Sequence, residues 1–361
     1  MATQLLDKAK ALVGQGTHKS DLTLVSQKIH TTGYGLMGLT WRASPPPQPQ
    51  AFSAMRAALS TGANFWDGGE FYGTPERNSL HLLNEYFTEY PKDAEKVVLS
   101  IKGGMVPGQL KPDGSAENTR RSIEECLRVL DGKKKLDIWE PARVDPNIPI
   151  EITMRAAQEF VEAGKLGGIA LSECSANTIR RAAKETTIVA VEVEFSIWST
   201  EILENGVASA CAELGIPIVA YSPLGRGFLT GQIRKLEDLP EDDIRRHYPR
   251  FQPGNFEKNI QLVDELERIA KAKGCTPGQV GIAWVKAKSA SEGLPIFIPI
   301  PGATTEERVR ENAVDVELSE NDVKEIDGLI AEIEVAGGRY PAAHGSALLF
   351  GDSIPLQPAG A

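Results

Sequence analysis

The chain has 361 residues, 41% of them hydrophobic and 24% charged, a composition that suits a globular protein with a full core. Its formal net charge of −10 argues against a broad nucleic-acid or anionic-membrane surface, because either would need excess positive charge. A pocket could still gather a few arginines around an anionic ligand. Cys126, Cys174, Cys211 and Cys275 are scattered without a C-x-x-C pair, as expected of reduced thiols in the cytoplasm.

Residues 1–27 read as an N-terminal extension, helical in its first part, with neither a signal peptide nor a membrane span. VSQKIHTTGYG then suggests a hairpin that plugs the bottom of the fold. GYGLMG and ANFWDGG read as strands around a helix near Phe52–Thr61. From residue 95 the alternation is regular. KVVLSIK, LDIWEPARV, LGGIALS, VAVEVEFS, IPIVAYS and PIFIPIPG read as strands. Between them, NTRRSIEECLRVL, IPIEITMRAAQEFVEAG, ANTIRRAAKE, ILENGVASACAELG and a stretch around Val263–Lys273 read as helices. Eight such units predict a closed, eight-stranded parallel β/α (TIM) barrel in one domain spanning 1–361. Two segments interrupt the rhythm: a charged loop at 225–256 after the seventh strand and a Gly-, Ala- and Pro-rich tail at 335–361. Loops of that length on the C-terminal face would cover a site.

Gly33, Gly35 and Gly38 match the G-x-G-x-x-G dinucleotide fingerprint. That motif needs a helix opening inside the glycine turn, and an acidic residue about 20 residues on. Here LTWRASPPPQPQ follows, whose prolines oppose an immediate helix, and no such acid is present. A glycine-rich strand and turn is the better reading.

Asp67 ends the second predicted strand, Tyr72 follows it, and Lys102 ends the third. All three therefore sit on the C-terminal face, where barrel enzymes place their chemistry. Carbonyl reduction needs a hydride at carbon and a proton at oxygen. A phenol can supply the proton if a lysine ammonium lowers its pKa and an aspartate holds that lysine. Each residue alone is more often a surface or packing residue, so the inference rests on the combination.

The motifs NFWDGGEFYG (64–73), LSIKGG, RVDPNIPIE (143–151), GGIALSE (167–173), AYSPLGRGFLTG (220–231) and IPIPGATTEERVREN (298–312), with GLT at 38–40, resemble the aldo-keto reductases. The likeness runs from about Lys28 to about Ile333 and is greatest to the pyridoxal reductase branch. It implies Tyr72 as proton donor, Lys102 as its partner and Asp67 as support. It also implies NADPH/NADP+ as cofactor. Ser172 and Glu192 would meet the carboxamide, and Tyr221 would stack on the nicotinamide. Ser222, Leu224, Gly225 and Arg226 would follow the pyrophosphate. Arg308 and Asn312 would hold the 2′-phosphate and adenine, with Thr304 and Glu311 beside them and Gly38, Leu39 and Thr40 completing the set. The Thr304–Glu307 stretch has the form of a helix cap, which favours a phosphate. Trp41, Phe71 and Trp139 are the expected substrate walls, suited to a flat aromatic aldehyde. Where the family carries a histidine, this chain has Ala142.

The resemblance implies reduction of pyridoxal to pyridoxine, a step of vitamin B6 metabolism. A broader aldehyde or ketone reductase and a non-catalytic NADPH-binding subunit are the competing readings; Ala142 favours the last, the intact Asp67, Tyr72 and Lys102 oppose it. The expected partner is a small-molecule aldehyde, with no metal, nucleic acid or membrane. The residues assign no oligomeric state.

Overall fold

The computed structural model describes residues 22–341 and 349–357; the proposed N-terminal helix and parts of the tail lie outside them. The chain opens with a tight hairpin of β1 (Thr23–Leu24) and β2 (Gln27–Lys28), turned at Val25 and Ser26, both at positive φ. The expected hairpin therefore exists but lies earlier than VSQKIHTTGYG. The barrel follows as β3 (Tyr34–Gly35) and β4 (Phe65–Gly69). After a small hairpin of β5 (Gly73–Thr74) and β6 (Arg77–Asn78) come β7 (Val98–Gly103), β8 (Leu136–Pro141), β9 (Leu166–Ser172), β10 (Ile188–Glu194), β11 (Ile218–Tyr221) and β12 (Phe297–Pro299). Eight of these form one sheet in the order β12-β11-β10-β9-β8-β7-β4-β3, and all its pairings are parallel.

The glycine motif closes this sheet. Gly33 N–H donates to the Pro299 carbonyl at 2.9 Å, and Gly35 bridges Gly302 in parallel register. A Cβ on Gly33 would come within 2.8 Å of the Phe65 carbonyl and of Ile300, so the seam needs a residue without one. One helical turn, Met37–Thr40, does form directly after Gly35, contrary to the reading of the prolines. It stops at Trp41, and the next helix, Gln48–Ser60, starts only after Pro47.

The parity of each strand sorts its side chains into two cores. Phe65, Val98, Ile138, Ala170, Ala190, Val219 and Ile298 fill the barrel interior, and Leu22, Leu24 and Ile29 of the hairpin join them from below. Leu24 is wholly buried. Trp66, Leu99, Ile101, Trp139 and Leu171 face the other way, into the layer of helices. The hairpin is thus the plug expected of it, packing its apolar side chains against the bottom of the interior.

The helices named in the sequence reading are present, one of them shortened, and helices not named there, including Glu320–Glu332, also form. ILENGVASACAELG is a short 3₁₀ turn and then a helix only over Val207–Leu214, because Gly206 at φ 87° breaks it. Thr276 and Gln279 form a reciprocal capping box for a further helix, Pro277–Ala287, which the sequence reading had not set out. The loop at 225–256 folds into a series of 3₁₀ turns, anchored where Phe228 stacks on Trp198 at 4.2 Å. The tail returns over the rim: Gly351 bridges Cys174, and Asp352 accepts hydrogen bonds from Ser175 (2.5 Å) and Thr178 (2.7 Å).

Candidate active site

The inward parity of Val98, Ile138 and Ala190 carries on to Lys102, four residues further, and to Glu140 and Glu192, each two further. At the same level β4 contributes Asp67. Lys102 Nζ lies 2.6 Å from Asp67 Oδ1, 2.6 Å from Glu192 Oε1 and 3.3 Å from Glu140 Oε1. All four side chains are at most 5% exposed. Gly69, Lys102 and Glu140 are register partners across β4, β7 and β8. Glu192 comes from β10, beyond β9, and meets them only because the barrel curls.

Tyr72 sits above this cluster, its ring centroid 5.8 Å from Lys102 Nζ. Its backbone is held where Thr40 donates to the Tyr72 carbonyl at 2.6 Å. Its ring is sandwiched: Trp41 stacks on it at 5.3 Å, Phe71 meets it edge-on at 4.9 Å, and a Cβ on Gly69 would strike it at 2.7 Å. The structure therefore brings together Asp67, Tyr72 and Lys102 as the sequence predicted, with Trp41 and Phe71 as walls beside them.

The electrostatics differ from the expectation. Burial pushes the Tyr72 phenol above its ordinary value; Lys102 and Arg143 pull it down while Asp67 and Glu192 oppose them. The lysine alone does not decide the outcome, because it shares the cavity with acids. Lys102 itself stays an ammonium: burial disfavours the charge, but the carboxylates Asp67 and Glu192 more than offset it.

Several predicted positions are corrected. Trp139 is fully buried in the helix-facing layer, where its Nε1 donates to Ser122, because Glu140 takes the inward parity beside it. Leu39 is likewise core. Glu192 is not turned toward a carboxamide but bound to Lys102. Arg226, expected along the pyrophosphate, pairs with Glu194 at 3.0 Å and lies over the rings of Tyr248 and Tyr340. Tyr221 is tied at its edge, its hydroxyl donating to Glu173 at 2.6 Å. The cap at the last short helix is Thr305, not Thr304, whose carbonyl instead accepts from Gln50.

Other predicted positions remain available to a cofactor. Ser172 Oγ, at the end of β9, is buried without a hydrogen-bond partner. Ser222 and Gly225, followed by Gly227, take positive φ, giving a tightly turned loop over the C-terminal face. Arg308 is exposed and hydrogen-bonded to Gln232, while Glu311 and Asn312 are partly exposed beside it.

Three features were not foreseen. Glu140 joins the lysine cluster; its signal was an acid in register with Lys102 on the adjacent strand. Arg143, next to Ala142, donates to the Ala142 carbonyl at 2.5 Å and approaches the Tyr340 hydroxyl at 3.4 Å, leaving its buried Nε without a partner. Arg339 of the tail, 4% exposed, donates to Glu173 (2.6 Å), Glu194 (3.1 Å) and Tyr221 (3.0 Å). The tail thereby fixes the mouth of the barrel. Among the described residues no helix is long and apolar enough to cross a membrane.

Comparison with known proteins agrees with this geometry. The profile of the Aldo/keto reductase family matches residues 31–331. "Probable pyridoxal reductase 2" of Schizosaccharomyces pombe is 41% identical over 87% of this chain and 95% of its own length. "Aldo-keto reductase yakc [NADP(+)]" of the same yeast is 38% identical over 91% and 96%. The solved glycerol dehydrogenase AKR11B4 of Gluconobacter oxydans, 22% identical, superposes with a TM-score of 0.74 over 85% of this chain and 93% of its own, which supports the barrel fold. The chain belongs to the aldo/keto reductase family, oxidoreductases that use NAD(P)H and act on small molecules.

Proposed function

We propose that this single barrel reduces an aldehyde to its alcohol with NADPH, and that pyridoxal, reduced to pyridoxine, is the preferred substrate. The observation that carries the reading is the buried Lys102–Asp67 pair directly beneath the Tyr72 ring. Bound NADPH supplies the hydride. Tyr72 gives the proton to the carbonyl oxygen, and the ammonium of Lys102 steadies the phenolate left behind. Trp41 and Phe71 line one side of Tyr72 with aromatic surface, which suits a flat ring bearing the aldehyde.

The cofactor assignment draws on the orphaned Ser172 hydroxyl for the carboxamide, the turned loop 222–227 for the pyrophosphate, and Arg308 for the 2′-phosphate. The fission-yeast relative whose name carries NADP(+) supports the same choice, and the relative named as a pyridoxal reductase supports the substrate. With Ala142 unable to donate a hydrogen bond, the guanidinium of Arg143 is the cation nearest in sequence to the missing histidine, and it contributes to the field at Tyr72.

The test is NADPH consumption with pyridoxal and with unrelated aldehydes. Turnover with pyridoxal at the highest kcat/KM supports the reading. Equal turnover of all of them replaces it with a broad reductase, and tight NADPH binding without turnover replaces it with a non-catalytic subunit.

A further inference from the structure

One ammonium at the base of this site faces three carboxyl groups. Asp67, Glu140 and Glu192 present oxygens that all lie within 4.8 Å of one another, and Lys102 Nζ lies among them. An Asp–Lys pair alone would balance its charge. Here two further acids, Glu140 and Glu192, are buried with it. Close carboxyls in a dry cavity cannot all ionise against one cation, so a proton stays in the cluster or net negative charge builds up. Net negative charge there opposes placing another on the phenol above.

Resting on the reductase reading above, we infer that Glu140 and Glu192 are positioning residues that hold Tyr72 in its neutral, proton-bearing form into the alkaline range. Reduction consumes the phenol proton as hydride reaches the carbonyl carbon. Oxidation runs the other way: NADP+ accepts the hydride, and a phenolate must take the alcohol proton. The neutral phenol is the form that reduction draws on, and the cluster sets the pH up to which it persists.

The charged groups around Tyr72 come from four elements: Asp67 on β4, Lys102 on β7, Glu192 on β10, and Arg143 after β8. Glu192 in turn faces Lys102 on β7 and Glu140 on β8. Burial pushes Glu192 up to about 8, with Glu140 adding to the rise and Lys102 opposing it; burial likewise raises Glu140. As Glu192 loses its proton above that point, the new charge makes ionisation of Tyr72 harder still. A glutamine of the same shape keeps the packing and removes this charge.

The test compares wild-type protein with Glu192→Gln and Glu140→Gln. Tyrosinate absorbance is titrated without cofactor, with Tyr72→Phe in each background isolating the Tyr72 transition. That transition should fall by on the order of one pH unit or more in each variant. The alkaline limb of kcat/KM for reduction should move with it. A Tyr72 transition that stays in place or rises in both variants overturns the inference. If the wild type reduces no aldehyde, the reductase reading fails, while the absorbance titration still decides the role of the carboxyls. If Glu192→Gln does not fold, Glu140→Gln carries the same test.

Discussion

Replacing Arg339 by methionine should cost about 3 kcal/mol of stability and loosen the barrel mouth. Glu194 is buried, yet its carboxyl is held at about 2 against an ordinary 4.5: burial pulls it up, and Arg226, Arg339 and Arg250 outweigh that pull. A depression of roughly 2.5 units is worth about 3 kcal/mol at neutral pH, because one unit is ~1.36 kcal/mol. Arg339 is one of three cations, so its share is about 1 kcal/mol. It is also a direct partner of Glu173, which is wholly buried, and stranding such an acid adds about 2 kcal/mol. The sign follows from linkage. A depressed carboxyl contributes fully above its unfolded pKa and loses its contribution as the pH falls toward its folded one. The difference between wild type and Arg339→Met should therefore be full near neutrality and narrow below pH ~4.5, as Glu194 protonates. Urea unfolding at both pH values measures it. A loss under ~0.5 kcal/mol near neutrality, as for a surface pair, or a gap that widens in acid, would refute the reasoning.

Three further substitutions probe the site. Gly69→Ala drives a methyl into the Tyr72 ring and should cut kcat at least ~10-fold with little change in cofactor affinity, since small misplacements of a reacting group are costly; an unchanged kcat would mean that the ring has room to move. Arg308→Ala should weaken NADPH on the order of 10-fold or more and leave NADH almost unaffected, measured by fluorescence titration with each; equal losses would remove Arg308 from the 2′-phosphate. Ala142→His introduces a ring into a wholly buried position and should lower stability by about 1–3 kcal/mol through overpacking without raising kcat, whereas a large rate gain would show that the site still lacks its histidine.

Much of the fold was legible because β-branched runs alternate with amphipathic helices, and the C-terminal strand ends carry Asp67 and Lys102. Tyr72 was legible for the same reason, five residues beyond Asp67 on the short loop that leaves β4. What the sequence hid depends on curvature and parity. Glu192 reaches Lys102 across the interior from a strand that is not its neighbour, and no linear spacing announces that approach. Trp139 and Glu140 are adjacent, and only the register with Lys102 shows that the acid points in and the indole out. The glycines at 33 and 35 were correctly separated from a dinucleotide fingerprint, but their role at the barrel seam emerged only with Ile300 and Pro299 beside them. Arg226 was assigned by motif to a phosphate, whereas Glu194 on β10, Tyr248 of its own loop and Tyr340 of the tail hold it in the structure.

The central claim is that Tyr72 hands over the proton, and Tyr72→Phe tests it most directly. The variant keeps the ring between Trp41 and Phe71 and loses only the hydroxyl. NADPH oxidation with pyridoxal should fall by about 10²- to 10⁴-fold while NADPH binds as tightly as before; turnover within a few-fold of wild type would contradict the account.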